Sequence, residues 1–186
     1  KNKTLVPYSV SWKAGESTQI RSAADSVFRS ELANSQVNEV KVNAEGYFPK
    51  TVLLSEIMSG EPTVVLMTKA ESGSIVLLEN VNFKRGTSEL EGEGTKESLT
   101  ELAGFLLENP TMKLRIHGHT DSAGDPGLNK GLSLERAGSV RDFLITQGVP
   151  FESLRISGWG GTRPTASNAT ETGRAKNRRV ELEVER

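Results

Sequence analysis

The sequence predicts an α+β protein in which two helices cover one face of a mixed β-sheet, preceded by a small all-β sandwich domain. After residue 74, strand-like segments, in which apolar and polar residues alternate, and segments of helical periodicity follow one another in the order βαβαββ. That order is typical of a two-layer sandwich. Before residue 70, alternating segments dominate. The intervening residues 71–74 are small and polar, which indicates a linker between a domain over 1–70 and a domain over 75–186.

The first half of the second domain is predicted to be a strand, a helix and a strand. Residues 75–83 have the apolar character of a strand. Thr95 is a suitable N-cap for the helix, which ends at Asn109 and Pro110. The next strand covers 113–118 and delivers a Gly-His-Thr-Asp sequence at its carboxyl end.

The second half is predicted to be a helix followed by two strands. The helix covers 129–147 and stops at Gly148 and Pro150. The strands cover 154–157 and 180–185. The glycine-rich loop between them is long, and a loop of this length is uncommon unless it is functional, so we expect it to border a site.

The first domain is less regular. Strands are predicted over 37–44, 47–54 and 63–68. The segment 17–32 fits either a helix or a hairpin that contains a strand over 27–32. We adopt the all-β interpretation, and a small helical bundle is the alternative.

Composition excludes several classes of function. The formal charge of the 186 residues is −1, so no general field attracts nucleic acid or an anionic membrane. No cysteine is present, which excludes disulfides and thiolate chemistry. No apolar run approaches the length of about 20 residues that a membrane span needs. Because the sequence starts at Lys1 without a signal peptide, we interpret it as a fragment of an exported protein whose anchor lies outside it.

One loop and one helix carry a pair of opposite charges. Asp121 follows the strand over 113–118, and Asn129, Leu132 and Arg136 share one face of the following helix. A fixed anion and a fixed cation beside a helix N-terminus suit a zwitterionic ligand, because each ligand charge gains a charge-assisted partner. Arginine suits the carboxylate end, since its planar fork can bind both oxygens.

The order and spacing of these motifs resemble the OmpA-like peptidoglycan-binding domain. The resemblance covers roughly residue 74 to the C-terminus. It rests on the segments Gly118-His119-Thr120-Asp121, Asn129, Leu132-Ser133-Leu134-Glu135-Arg136-Ala137, Gly158-Trp159-Gly160, Pro164, Asn168, Gly173-Arg174 and Asn177-Arg178-Arg179-Val180. It implies an OmpA-like βαβαββ fold and a binding module of the bacterial envelope that needs no cofactor.

The resemblance also implies a ligand and residue roles. The ligand is the diaminopimelate of the peptidoglycan stem peptide, with Asp121 on its ammonium and Arg136 on its carboxylate. Wall and hydrogen-bonding roles are implied for Thr120, Asn129, Leu132 and Arg178. Because the two charged positions are expected in a loop and in the first turn of a helix, their replacement is expected to leave the fold intact.

A second, shorter resemblance concerns residues 40–48, Val-Lys-Val-Asn-Ala-Glu-Gly-Tyr-Phe. They resemble a strand of the carboxypeptidase-regulatory-like or transthyretin-like β-sandwich. The combination of the two domains resembles envelope proteins of the Bacteroidetes, some linked to protein secretion or gliding. It implies a periplasmic location, an association with the outer membrane through segments outside this chain, and contacts of the first domain with other envelope proteins. The alternative function is a protein-docking module without a ligand.

Enzymatic readings of the same residues fail. His117, His119 and Asp121 match the start of a two-metal hydrolase signature, but Ser122 replaces the next histidine and the chain has only two histidines. No nucleophile elbow and no phosphate-binding loop is present. We therefore predict no catalytic residues and no metal site, and expect the His119 ring to bond loop backbone. The cluster of basic residues near Arg178 is short and lacks exposed aromatics, so we also predict no nucleic-acid binding.

Overall fold

The computed structural model describes residues 7–14, 17–23, 38–57 and 65–185. The chain forms two compact units, Lys1–Ala70 and Glu71–Arg186. Within the predicted linker, Gly73 N–H donates to the carbonyl of Val184, and Val184 N–H donates to the carbonyl of Ser74, at 2.8 and 3.0 Å. These bonds tie the end of the linker segment to the last strand of the second unit.

In the first unit, alternating valines build one antiparallel sheet. The elements are β1 (Tyr8–Ala14), β2 (Ser17–Ala23), β3 (Glu39–Asn43), β4 (Lys50–Leu53) and a short helix α1 (Leu54–Ile57). The strand order is β2-β1-β3-β4. The buried residues are Val10, Val40, Val42, Val52 and Leu54. Because side chains on successive strand residues point to opposite faces, Val40 and Val42 reach the same core.

The first domain matches its prediction only in part. Strands β3 and β4 lie within the segments 37–44 and 47–54. The helical interpretation of 17–32 is wrong for its first seven residues, which form β2, and the predicted strand over 27–32 lies outside the described residues. Residues 65–68 are not a strand, although Tyr47 and Lys69 form one isolated bridge. The described residues supply one sheet and not the second sheet of the predicted sandwich.

The second unit contains a mixed sheet with helices. Its elements are β5 (Ile75–Leu77), β6 (Asn82–Phe83), β7 (Leu90–Glu91), α2 (Glu93–Glu108), β8 (Leu114–Gly118), α3 (Pro126–Thr146), a 3-10 turn (Phe151–Ser153), β9 (Leu154–Gly158), α4 (Glu171–Asn177) and β10 (Val180–Val184). The main sheet has the order β5-β10-β8-β9. Strand β10 is antiparallel to both neighbours and β8 is parallel to β9, which confirms the mixed sheet.

The core lies between this sheet and the helices. Helix α3 packs on β8 and β9, and α2 packs on α3. The facing side chains are fully buried, among them Leu99, Leu114, Ile116, Leu144 and Leu182. Burial of each such side chain stabilises the fold by about 1.5–3 kcal/mol. No helix among the described residues has the length and apolarity needed to cross a membrane.

The segment 75–83 is not one strand. It divides into β5 and β6, which belong to different sheets, and Asn80 between them has a left-handed backbone with φ of 63°. Helix α2 starts at Glu93, so the predicted N-cap at Thr95 is wrong. The buried Thr95 hydroxyl instead accepts a hydrogen bond from Asn82 N–H and lies 2.6 Å from the carbonyl of Glu91. It therefore joins the turn before β6 to the helix.

Helix α3 starts earlier than the predicted residue 129. Asp125 is the N-cap, since its carboxylate accepts from Leu128 N–H at 2.8 Å, and Pro126 occupies the first helical position. The early start places Arg136 three residues further into the helix than predicted, in the third turn and not in the first, where its replacement was expected to leave the fold intact. The short helix α4 was not predicted, and the Thr170 side chain caps it by accepting from Gly173 N–H.

Candidate ligand-binding site

The site lies at the carboxyl ends of β8 and β9, where two glycines let α3 approach the sheet. A Cβ on Gly118 would lie 1.9 Å from the carbonyl oxygen of Ser133, and one on Gly158 would lie 2.6 Å from the nitrogen of Leu134. Both distances are far below van der Waals contact. Only glycine at these two strand ends allows the helix backbone to pack this closely.

The loops that follow β8 and β9 are locked together. Gly160 N–H donates to the Ser133 hydroxyl at 2.8 Å, and the Gly160 carbonyl accepts from Thr120 N–H at 3.0 Å. Gly160 has φ of 54°, which favours glycine. A Cβ on Gly161 would lie 2.7 Å from the backbone oxygen of Asp121. The loop after β9 thus fixes the backbone that carries Asp121.

Asp121 is an ionised carboxylate with 14% of its side chain exposed. Its Oδ1 accepts from Ala123 N–H at 3.0 Å and its Oδ2 accepts from Arg178 at 2.8 Å. Burial alone raises the pKa of Asp121, but the hydrogen bonds from Arg178 and Ala123 outweigh it and lower the pKa below its usual value. The carboxylate is charged at neutral pH.

Arg178 bridges two carboxylates. One terminal nitrogen donates to Asp121 and the other donates to Glu171, both at 2.8 Å. The hydrogen bonds to Asp121 and Glu171 raise the pKa of Arg178. Asp121 therefore shares its cation with Glu171 on α4.

The same chain of polar groups returns to the loop of Asp121. Arg174 donates to Glu171 at 2.9 Å and to the Asn168 carbonyl at 3.0 Å. The Asn168 side-chain oxygen accepts from Ser122 N–H at 3.2 Å. A closed polar ring results, formed by Asp121, Arg178, Glu171, Arg174, Asn168 and Ser122. We call this set the polar ring.

Asn177 holds the glycine-rich loop against α4. It is fully buried, and its side-chain oxygen accepts from the N–H groups of Thr165 and Ala166 at 2.8 and 3.0 Å. Its amide nitrogen donates to the Ala166 carbonyl and to Asn168. A buried amide needs such partners, because an unsatisfied polar group costs about 1–3 kcal/mol.

Arg136 is a buried cation with 7% of its surface exposed. Its Nε donates to the carbonyl of Thr87 at 2.9 Å, and its guanidinium carbon lies 5.0 Å from the centre of the Phe83 ring. Burial lowers the pKa of Arg136, as does the charge of Arg178, whereas the charge of Asp121 raises it. The guanidinium stays charged. Within the described residues its two terminal nitrogens have no hydrogen-bond partner.

The remaining predicted site residues lie on the same loop and helix. The buried Thr120 hydroxyl donates to the backbone oxygen of Asp121 at 2.8 Å, and the Asn129 amide donates to the carbonyl of Ala123 at 2.7 Å. Leu132 is half-buried, one turn before Arg136. Asp121 and Arg178 are thus in direct contact, Asn129 braces their loop, and Leu132 and Arg136 follow along α3.

The two histidines have structural surroundings. The Trp159 indole N–H can only donate, so Nδ1 of His117, 2.9 Å away, is the acceptor and the proton sits on Nε2, which faces Glu183 at 2.8 Å. In the described part of the chain, no group of three or more His, Cys, Asp or Glu residues is arranged to hold a metal.

His119 is 1% exposed, and the expected hydrogen bond to loop backbone is wrong. Among the described residues neither ring nitrogen has a hydrogen-bond partner. Its Nε2 lies 3.3 Å from Glu181, within ion-pair range but without hydrogen-bond alignment. Burial, followed by the charge of Arg179, lowers the pKa of His119 to about 4. The ring is neutral at pH 7.

Three residues that contribute to the site were missed. Phe83 and Thr87 hold Arg136 although they lie 53 and 49 positions earlier in the sequence. Such distant contacts leave no local signal. Glu171 was also missed, and here a signal existed, because a Thr followed by an acidic residue is a common helix start.

Comparison with known proteins gives a consistent result. A model of the OmpA family matches residues 82–178. The probable lipoprotein YiaD of Escherichia coli is 42% identical over 114 residues, which are 60% of this chain and 52% of YiaD. The peptidoglycan-binding protein ArfA of Mycobacterium tuberculosis is 44% identical over 88 residues, 47% of this chain and 27% of ArfA. The chain thus spans about half of one relative and about a quarter of the other.

A solved structure agrees with the sequence matches. The peptidoglycan-associated lipoprotein from Burkholderia pseudomallei superposes with a TM-score of 0.53 and 28% identity, over 56% of this chain and 88% of that one. The family and its relatives confirm the prediction that this domain is not an enzyme.

Proposed function

The chain belongs to the OmpA family, and from this premise we propose that its second unit binds peptidoglycan non-covalently through the diaminopimelate of the stem peptide. The side-chain end of diaminopimelate carries an ammonium and a carboxylate on one carbon. Asp121 binds the ammonium and Arg136 binds the carboxylate. The observation that carries the proposal is the presence, in one site, of an ionised Asp121 and a buried, charged Arg136 whose two terminal nitrogens have no hydrogen-bond partner among the described residues.

Asp121 has room for a second cation. Each carboxylate oxygen has two lone-pair sites, and the contacts to Ala123 and Arg178 use one on each oxygen. The ligand ammonium takes a remaining site. Because Glu171 also binds Arg178, the positive charge beside Asp121 is shared between two carboxylates, which leaves Asp121 less completely neutralised when the ligand ammonium arrives.

Arg136 is pre-organised for a carboxylate. The Thr87 carbonyl fixes Nε, and the guanidinium carbon lies over the Phe83 ring, 5.0 Å from its centre. Since the side chain is already ordered, binding costs little rotamer entropy. Two parallel N–H bonds to a carboxylate are among the strongest hydrogen bonds in proteins, and partial burial strengthens them further.

The other four residues form the walls. Thr120 acts through its backbone and shape, since its hydroxyl is used within the loop. Asn129 keeps its side-chain oxygen for the ammonium, because its amide nitrogen is the atom that bonds Ala123. Leu132 contacts the methylene chain of diaminopimelate, and Arg178 closes the side next to Asp121.

In the cell, this binding attaches an envelope assembly to the cell wall from the periplasmic side. The first unit contacts other envelope proteins, as a carboxypeptidase-regulatory-like sandwich or a related β-domain. One observation favours a second candidate, a docking module without a ligand: Asp121 is already ion-paired with Arg178, so the charges can stabilise the fold alone.

Calorimetry with a soluble stem tripeptide that ends in diaminopimelate separates the two candidates. We expect a Kd of roughly 10 µM to 1 mM. Asp121→Asn keeps the shape and the acceptor for Ala123 but removes the charge, so the affinity should fall at least about 30-fold, in line with a loss of about 2 kcal/mol or more. Glu135→Gln, an exposed change on the same helix, is the control and should bind normally. Binding that is absent in the wild type, or unchanged in Asp121→Asn, would favour the docking module.

A further inference from the structure

An apolar stripe leads away from Arg136 along α3. Leu128, Leu132 and Arg136 are spaced by four residues, so their side chains follow one another along one flank of the helix. Leu132 is half-buried. Leu128 is 75% exposed, which makes it the most exposed large apolar side chain in the described part of the chain. The stripe is therefore continuous with the proposed site and ends in solvent.

The backbone around Leu128 is fixed although its side chain is not covered. Leu128 lies in the first turn of α3, and its N–H donates to the Asp125 cap at 2.8 Å. Its neighbour Asn129 bonds the loop of Asp121 through Ala123. Residues 122–127 in front of it are all exposed. Leu128 thus presents a positioned apolar surface at the rim of the site.

We propose that Leu128 and Leu132 form a subsite for the methyl group of the alanine that follows diaminopimelate in the stem peptide. This inference rests on the proposed function. When Asp121 and Arg136 hold the side-chain end of diaminopimelate, its other end continues in two directions. One neighbour is a glutamate with a free carboxylate, and the other is an alanine. Only one of them can lie on the stripe.

Charge and polarity determine which of these two ligand residues lies on the stripe. The exposed Asp125 carboxylate is bonded to the backbone of Leu128 and repels the glutamate carboxylate. Lys130 projects from the opposite side of the helix and does not offset this repulsion. The alanine methyl gains instead, because it leaves water on contact with Leu128. The stripe therefore selects the alanine side.

The test uses two ligands that differ by one methyl group. Tetrapeptide amides with D-alanine or glycine after diaminopimelate are titrated into the full chain by calorimetry, and amidation removes the terminal charge from both. Burial of one methyl predicts about three- to fivefold tighter binding of the D-alanine peptide. Leu128→Ser should bind both peptides equally.

Leu134→Ser is the matched control. Leu134 is 43% exposed on the same helix, and its Cβ faces Gly158 of β9 and not the stripe. This variant should keep the wild-type preference for D-alanine. Leu128→Ser should also bind the tripeptide amide that ends at diaminopimelate as the wild type does.

The outcomes separate the two levels of inference. Equal wild-type affinity for both tetrapeptides, or a preference that survives in Leu128→Ser, refutes the methyl subsite while tripeptide binding still supports the proposed function. If Leu134→Ser loses the preference for the D-alanine peptide just as Leu128→Ser does, the methyl subsite is refuted too, because the effect is then not local to the stripe. Absence of tripeptide binding by the wild type refutes the proposed function and this subsite with it.

Discussion

Asp121 lies on a loop and is held by the Arg178 guanidinium and the Ala123 N–H, whereas Arg136 lies in the third turn of a helix and is held by the Thr87 carbonyl and the Phe83 ring. The anion is 14% exposed and belongs to the polar ring, in which Ser122, Glu171 and Arg178 are exposed. The cation is 7% exposed and its position is set by packing. Their contributions to stability should therefore differ, even though their contributions to ligand binding should be alike.

The distance between the anion and the cation depends on Gly118, because β8 carries the loop of Asp121 and α3 carries Arg136. Gly118→Ala would place a Cβ 1.9 Å from the Ser133 carbonyl, so the helix must shift or the chain must unfold. We expect a loss of about 3 kcal/mol or more in the free energy of unfolding, measured with urea, and loss of stem-peptide binding. Gly104→Ala on α2 meets open space and should keep or slightly raise stability. Equal stability of the two variants would contradict the close packing.

Arg136→Ala removes the buried cation. The Thr87 carbonyl loses its donor and the Phe83 ring loses its cation, so we expect unfolding to cost about 2–3 kcal/mol less and binding to be abolished. This result would correct the sequence-based expectation that the fold is unaffected, which assumed a residue in the first helical turn. Arg141→Ala, whose partner Asp142 is exposed, is the control and should change stability by under about 1 kcal/mol. A wild-type melting temperature for Arg136→Ala would show that its burial is unimportant for the fold.

The sequence predicted the site's residue types better than their environments. Asp121, Asn129 and Arg136 are close in sequence, so a strand-loop-helix pattern was sufficient to group them. The start of α3 was misplaced although Asp125 and Pro126 carry the ordinary signals of a helix start.

The burial of Arg136 could not be predicted at all. It depends on Thr87 and Phe83 in the hairpin of β6 and β7. Contacts between residues about fifty positions apart produce no periodic pattern in the sequence. The polar ring needs α4, whose seven residues are too few for a clear helical period.

Mild acid should separate fold stability from ligand recognition. The folded-state pKa of His119 is lowered to about 4 by burial, so between its ordinary value of 6.5 and pH 4 the unfolded chain binds a proton that the folded chain does not. Stability is full above pH 6.5 and falls by about 2 kcal/mol between pH 7 and pH 5. The pKa of Asp121 is also lowered, so it stays ionised and the folded protein still binds the tripeptide at pH 5. His119→Gln should flatten the urea-midpoint profile over this range, and an equally steep profile would assign the effect to another group.

The smallest expected effect concerns Glu171, which shares Arg178 with Asp121. Its side chain is 66% exposed, so Glu171→Gln should change the free energy of unfolding by less than about 1 kcal/mol. Arg178 then has only Asp121 as an ionised partner, so it neutralises Asp121 more completely and weakens the attraction of that carboxylate for the ligand ammonium. We expect the tripeptide affinity to fall about two- to fivefold. The affinity difference between the tripeptide and a tripeptide in which this amine is acetylated, and therefore uncharged, should also become smaller. Glu152→Gln, exposed in the 3-10 turn, should leave both peptides unaffected. Tighter binding by Glu171→Gln than by the wild type would contradict this role. Arg178 would then bind the ligand carboxylate together with Arg136 and would not compete with the ammonium for Asp121.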